Sequence, residues 1–196
     1  MTQKLTGFLV LLLLVGIVSL CGSALAIPKA SVGYKLYHYE NDTWVRYNQD
    51  DPFPPGGATP GTNLWKYTYC VSNLQFTTGI YLVWIFFNGD NVLRATRVSE
   101  AAPTGWTALY YPPFAPNNNW KVRFRTTTPA YYVMLGNTLC GCEVQFTWII
   151  PNLLPGPQDY DAITSGGSET GVTEELPPDP TPVNSTSWGK IKSLFK

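Results

Sequence analysis

Histidine is nearly missing from this chain: among 196 residues only His38 carries an imidazole. That narrows the chemistry on offer, because acid–base work near neutral pH and most zinc sites draw on histidine. His38 alternates with Val32, Tyr34 and Leu36 along an extended run, which reads as a structural histidine rather than a general base. No serine stands in a Gly-x-Ser-x-Gly elbow, and no glycine-rich loop leads from a strand into a helix to cradle phosphate. Glycoside hydrolysis needs two carboxyls across a cleft. Glu40, Asp42, Asp50, Asp51, Asp90 and Glu143 instead fall at turns, in loops or at outward strand positions. Charge is scarce as well, at 13% of residues, with 13 Lys+Arg balancing 13 Asp+Glu. A nucleic-acid binder would show clustered lysine and arginine. Here Arg94 with Arg97, and Lys121 with Arg123 and Arg125, alternate with apolar residues and read as the wet face of strands. No cofactor or nucleic-acid partner is expected. Calcium is the one metal with any support, from oxygen ligands in Asn88-Gly89-Asp90-Asn91 and Gln158-Asp159-Tyr160-Asp161, and neither stretch matches a defined calcium loop.

The one long greasy run lies at the start. Lys4 precedes apolar residues 8–20, and Ala24-Leu25-Ala26 closes the segment. A basic front, a short apolar middle and small residues one and three places before a cut describe a secretory signal peptide over residues 1–26. The run is shorter than the ~20 residues of a spanning helix. A lipoprotein cut before Cys21 fits poorly because Leu20 is not small. The expectation is cleavage after Ala26, a secreted protein at or beyond the outer cell surface, and no membrane span in the mature chain. Removal takes Lys4 with it and leaves 12 basic against 13 acidic residues, near −1.

Removal also takes Cys21, leaving Cys70, Cys140 and Cys142. In an oxidising compartment Cys70 is expected to bridge to Cys140 or to Cys142. Cys140-Gly141-Cys142 is too tight for a comfortable bridge of its own, so one thiol stays over.

Aromatics are plentiful, at 14% of residues, and they alternate. Strands are expected at 32–39, 43–47, 64–72, 80–87, 92–98, 106–111, 120–125, 131–135 and 139–150. Asn41-Asp42 sits between the first two as a hairpin turn, and the Pro/Gly-rich stretch 50–61 is a loop. Short strands with turn signals between them and no amphipathic helix predict an all-β fold: a single antiparallel β-sandwich, Ig-like or jelly-roll-like, over residues 27–163. From 164 to 186 the chain is Gly, Ser, Thr, Pro and acidic residues, including Glu169, Glu174, Glu175 and Asp179, and reads as a disordered linker. Residues 187–196 form a short basic amphipathic tail, with Trp188, Ile191, Leu194 and Phe195 at helical spacing beside Lys190 and Lys192, a candidate anchor for an anionic membrane or a sorting partner.

Trp106, Tyr110, Tyr111, Phe114 and Trp120 flank a Pro/Asn-rich loop, and rings on a rigid sandwich suit stacking against sugars. They are the candidate ligand platform. Asn41-Asp42-Thr43 and Asn184-Ser185-Thr186 match the N-glycosylation pattern.

Residues 65–73 (WKYTYCVSN), then Phe86-Phe87-Asn88, then Ala102-Pro103-Thr104-Gly105-Trp106 resemble a run found in secreted bacterial β-sandwich domains. Residues 139–148 with Pro155-Gly156-Pro157-Gln158 resemble the last strand and exit of the same domains. These domains occur in exported proteins of the PEP-CTERM or choice-of-anchor kind, although the Pro-Glu-Pro motif, membrane helix and Arg cluster of a PEP-CTERM tail are absent. The resemblance implies an extracellular sandwich with no established enzymatic activity. The expected role is a non-catalytic interaction or structural protein facing a cell-surface or matrix component. The alternative is a carbohydrate-binding module or a glycan-active enzyme.

Overall fold

Alternating burial builds two sheets that share one aromatic core. The computed structural model describes residues 27–54, 63–87, 95–113, 120–150 and 152–178. Among the described residues eleven strands run in chain order: β1 (Ala30–Glu40), β2 (Thr43–Tyr47), β3 (Leu64–Asn73), β4 (Ile80–Phe87), β5 (Ala95–Ala101), β6 (Thr107–Tyr111), β7 (Trp120–Arg125), β8 (Thr138–Trp148), β9 (Asp159–Thr164), β10 (Gly167–Val172) and β11 (Glu174–Glu175). The first sheet has the order β11-β1-β3-β8-β5, with β2 also on β1; the second is β10-β9-β4-β7-β6. Every pairing is antiparallel except the two-residue contact of β11 with β1. The expected all-β sandwich is the fold found.

The largest side chains at inward positions are rings. Tyr67 stacks on Phe146 at 5.2 Å, and Trp120 lies flat on Phe87 at 3.6 Å. Several buried hydroxyls and indoles find acceptors, although the Trp120 indole N–H has none among the described residues. Tyr69 Oη donates to Gln158 Oε1 at 2.9 Å, Tyr160 Oη to the Ala30 carbonyl at 2.9 Å, and Trp148 Nε1 to the Leu153 carbonyl at 2.7 Å. The β1–β2 hairpin turns through Asn41 (φ 47°) and Asp42 (φ 63°), the pair of positive φ angles that a two-residue type I′ turn requires.

Three expectations need correcting. Residues 131–135 are not a strand: a 3₁₀ turn occupies Pro129–Tyr131, and Val133 makes only an isolated bridge to Ile80. The expected linker from 164 begins too early, because β10 pairs with β9 along its whole length and β11 docks on β1. An edge strand needs backbone partners more than apolar side chains, so a polar composition does not forbid one. Thr173, between those strands, is buried and its Oγ1 accepts from the Gln158 backbone N–H at 2.9 Å. The third correction concerns Gln158 to Asp161, which is the entry to β9 and not a calcium loop. The other calcium candidate, Asn88 to Asn91, lies outside the described residues, as do the signal segment and the tail.

The disulfide joins Cys70 to Cys140, and Cys142 is a buried free thiol. Strict alternation would put Cys140 and Cys142 on one face. Along β8, however, Thr138 and Cys140 are exposed whereas Cys142, Val144 and Phe146 are buried. The register against β3 steps from Tyr69↔Cys142 to Cys70↔Cys140, leaving Gly141 unopposed with φ +98°. That is a β-bulge of the kind glycine permits. It reverses the phase of the strand, so Cys140 meets outward-facing Cys70 while Cys142 points into the core.

Candidate functional site: the outer face of the second sheet

Central strand β4 is apolar on both faces. Val83, Ile85 and Phe87 enter the core, whereas Leu82, Trp84 and Phe86 are half-buried on the outside. Beside them on β7, Val122 and Phe124 point inward and Lys121, Arg123 and Arg125 outward. The register sets these side chains in rows across the sheet. Leu109, Arg123, Trp84 and Asp161 form one row, and Tyr111, Lys121, Phe86 and Asp159 form the next.

The cations pack against the rings. Lys121 Nζ lies 4.5 Å from the centre of Trp84, 5.8 Å from Phe86 and 5.9 Å from Tyr111. The Arg123 guanidinium is 5.3 Å from Tyr111 and 5.8 Å from Trp84. Trp84 and Tyr111 meet edge to face at 5.1 Å. Cation–π attraction of this kind holds a long side chain in place without neutralising it. No carboxylate among the described residues forms an ion pair with Lys121, Arg123 or Arg125. Arg123 Nε and Asp161 Oδ1 are buried without a hydrogen-bond partner among the described residues, and burial raises the Asp161 carboxyl above its ordinary value. The face therefore carries fixed positive charge, ring surface and unsatisfied polar atoms together.

No protein-family model matches this chain, and no curated protein matches it. Among the solved structures similar in shape are two that can be described. One is an uncharacterised protein from Nocardia farcinica described as having an immunoglobulin-like fold, 17% identical, with a TM-score of 0.41 over 68% of this chain and 88% of that one. The other is a cohesin module from a Clostridium perfringens family 33 glycoside hydrolase, 8% identical, with a TM-score of 0.36 over 58% of this chain and 87% of that one.

Most of the rings expected to form a ligand platform lie away from this face. Trp106 is buried at 6% exposure and its indole N–H donates to the Tyr131 carbonyl at 2.9 Å. Trp120 is 2% exposed beneath Phe87. Both are core residues, with no ring face to offer a sugar. Tyr110 packs on Trp120 at 5.8 Å and carries the Arg97 guanidinium at 5.1 Å. Only Tyr111 belongs to the outer face; Phe114 lies outside the described residues. The tail anchor of Trp188, Lys190, Ile191, Lys192, Leu194 and Phe195 lies outside them too. Alternation alone marks Lys121, Arg123 and Arg125 only as wetted strand positions. The missed signal was a second alternating set, Leu82, Trp84 and Phe86, too apolar for an ordinary outer face.

His38 has a structural setting. Asn63 Oδ1 accepts from Trp65 Nε1 at 2.7 Å and lies 2.9 Å from His38 Nε2, while Asn63 Nδ2 donates to the Trp148 carbonyl at 3.0 Å. Since Oδ1 cannot donate, the histidine Nε2 must carry a proton here. Glu40 Oε1 lies 2.8 Å from the other ring nitrogen and accepts from Tyr47 Oη at 2.7 Å. Tyr47 first, and His38 after it, hold the Glu40 carboxyl below its ordinary value. Among the described residues no three His, Cys, Asp or Glu side chains gather in a metal-holding group, and no helix is long and apolar enough to cross a membrane.

Proposed function

We propose that this chain is a secreted, non-catalytic domain that binds a cell-surface or matrix component through the outer face of its second sheet. The observation that carries the reading is the run of ring-cradled cations on β7 with no acidic partner among the described residues. A rigid sandwich presents such a face without reorganisation, which keeps the entropic penalty of binding low. The resemblance to exported PEP-CTERM or choice-of-anchor-type sandwiches and the signal-like segment 1–26 agree with it, and the disulfide suits an oxidising compartment. The basic tail 187–196 is assigned the role of a separate address.

Co-sedimentation with washed envelopes of the producing cells tests this. Wild-type protein should be retained, and Lys121→Glu/Arg123→Glu should be lost to the supernatant with an unchanged melting temperature. Equal retention of both proteins would refute the assignment of the face. Bond cleavage in a hydrolase panel, sensitive to a carboxylate substitution, would refute the non-catalytic reading.

A further inference from the structure

Building on that reading of the face, we infer that its ligand is a single anionic polysaccharide chain, bearing uronate or sulfate groups, laid along β7. Lys121, Arg123 and Arg125 occupy alternate positions of one strand, so their charges repeat every ~6.7 Å along a line about 13 Å long. Leu82, Trp84 and Phe86 run along one flank of that line, with Leu109 and Tyr111 on the other. An acidic polysaccharide repeats a charged group and an apolar C–H face in every unit, which matches a cation line edged by rings and aliphatic groups.

The same geometry disfavours other polyanions. Asp159 and Asp161 stand on β9, two strands from β7 and so about 10 Å away. An anionic bilayer would meet the whole face and be repelled by them, whereas one chain along β7 does not lie over them. An acidic peptide supplies anions without a repeating apolar face.

The test uses the full secreted chain with its disulfide intact, in affinity electrophoresis and calorimetry. The probes are polygalacturonate, chondroitin sulfate, neutral dextran, poly-glutamate, an oligothymidylate and phosphatidylglycerol vesicles. Polygalacturonate or chondroitin sulfate should bind, and dextran should not. Affinity should fall at least about tenfold between ~50 and ~500 mM salt, as screening shortens the reach of the cations. Lys121→Gln/Arg123→Gln/Arg125→Gln should abolish binding, and Lys66→Gln on the other sheet should leave it unchanged. Should the triple variant fail to fold, exposed Arg125→Gln alone should weaken binding about threefold to tenfold. Binding by neither acidic polysaccharide, tighter binding to the peptide, nucleotide or vesicle probes, or affinity indifferent to these substitutions would overturn the inference. If envelope retention still depends on Lys121 and Arg123 while no polysaccharide binds, the ligand class fails and the interaction face stands. If retention is indifferent as well, both fail.

Discussion

Opening the Cys70–Cys140 bridge should weaken the fold by an amount its topology sets. The bridge closes a loop with a sequence separation of 70 residues. In the chain-entropy description, loss of that closure frees the denatured chain by about 4 kcal/mol at 25 °C. The native state should change little, because β3 and β8 remain paired from Leu64↔Thr147 to Ser72↔Thr138 around the bridge. Cys140 is exposed, so reductant reaches the bond without unfolding. The assay is urea unfolding followed by tryptophan fluorescence, on oxidised protein, on reduced protein, and on Cys70→Ala/Cys140→Ala. Reduced and double-variant proteins should agree, with an unchanged near-ultraviolet spectrum and a melting temperature lower by about 10 °C. A loss below ~1 kcal/mol would mean that the denatured chain is already constrained, and the reasoning fails. Collapse of the near-ultraviolet spectrum on reduction would refute it from the other side, by showing that the bridge holds the native sheets together.

Trp120→Ala should cost about 3–5 kcal/mol in chemical denaturation, because it empties the site beneath Phe87; a cost under ~1 kcal/mol would contradict the core assignment. Asn63→Leu should cost about 3 kcal/mol, since it strands the Trp65 indole N–H, the His38 ring nitrogen and the Trp148 carbonyl; a near-neutral result would mean that the network is not holding the strand ends. Stability should be level to about pH 9 and decline above it. Burial pushes the Cys142 thiol from 9.0 up to about 12 and the Tyr34 and Tyr47 hydroxyls from 10.0 up to about 12, so the unfolded chain releases those protons first. A urea midpoint that holds steady from about pH 8 to about pH 11 would refute this. On the acid side the sign is opposite: the Glu40 carboxyl sits below its ordinary 4.5, so its contribution is present above that value and lost as pH falls through the folded-state value. Tyr47→Phe should shrink that acid loss, and an unchanged acid limb would remove Glu40 from the account.

Most of the sandwich was legible because alternation is a direct print of burial. The expected strands 43–47, 80–87 and 120–125 match β2, β4 and β7 to the residue. What escaped was structure that alternation does not report. β10 is an edge strand of Gly, Ser, Glu and Thr, held by its backbone against β9, so its composition looks like a linker. Around Val133 the apolar residues anchor an irregular crossing, and a hydrophobic count cannot tell that from a short strand. The candidate site failed for a related reason. Both Trp106 and Trp120 stand beside loops in sequence, yet each begins or precedes a strand at an inward position, and proximity to a loop says nothing of facing. The β7 cations were read correctly as outward and incompletely as merely wet. Their meaning depends on β4 and β6, which lie beside them only after folding.

Gly141 has a consequence for how the protein is made. By placing two cysteines that are two residues apart on opposite sides of one sheet, the bulge turns the sheet into an insulator between a bond and a thiol. Thiol–disulfide exchange requires the attacking sulfur to approach the bridge directly. Cys142, buried at 0% exposure and kept protonated by burial, can do so only if β8 opens. Before folding, Cys70, Cys140 and Cys142 permit three different bridges among themselves; once the strands pair, one bridge is geometrically open and rearrangement is closed. A residue that cannot adopt φ +98° at position 141 would restore simple alternation and carry Cys140 to the core face beside Cys142, away from outward-facing Cys70. The fidelity of oxidation thus rests on a residue that has no side chain and takes no part in the chemistry.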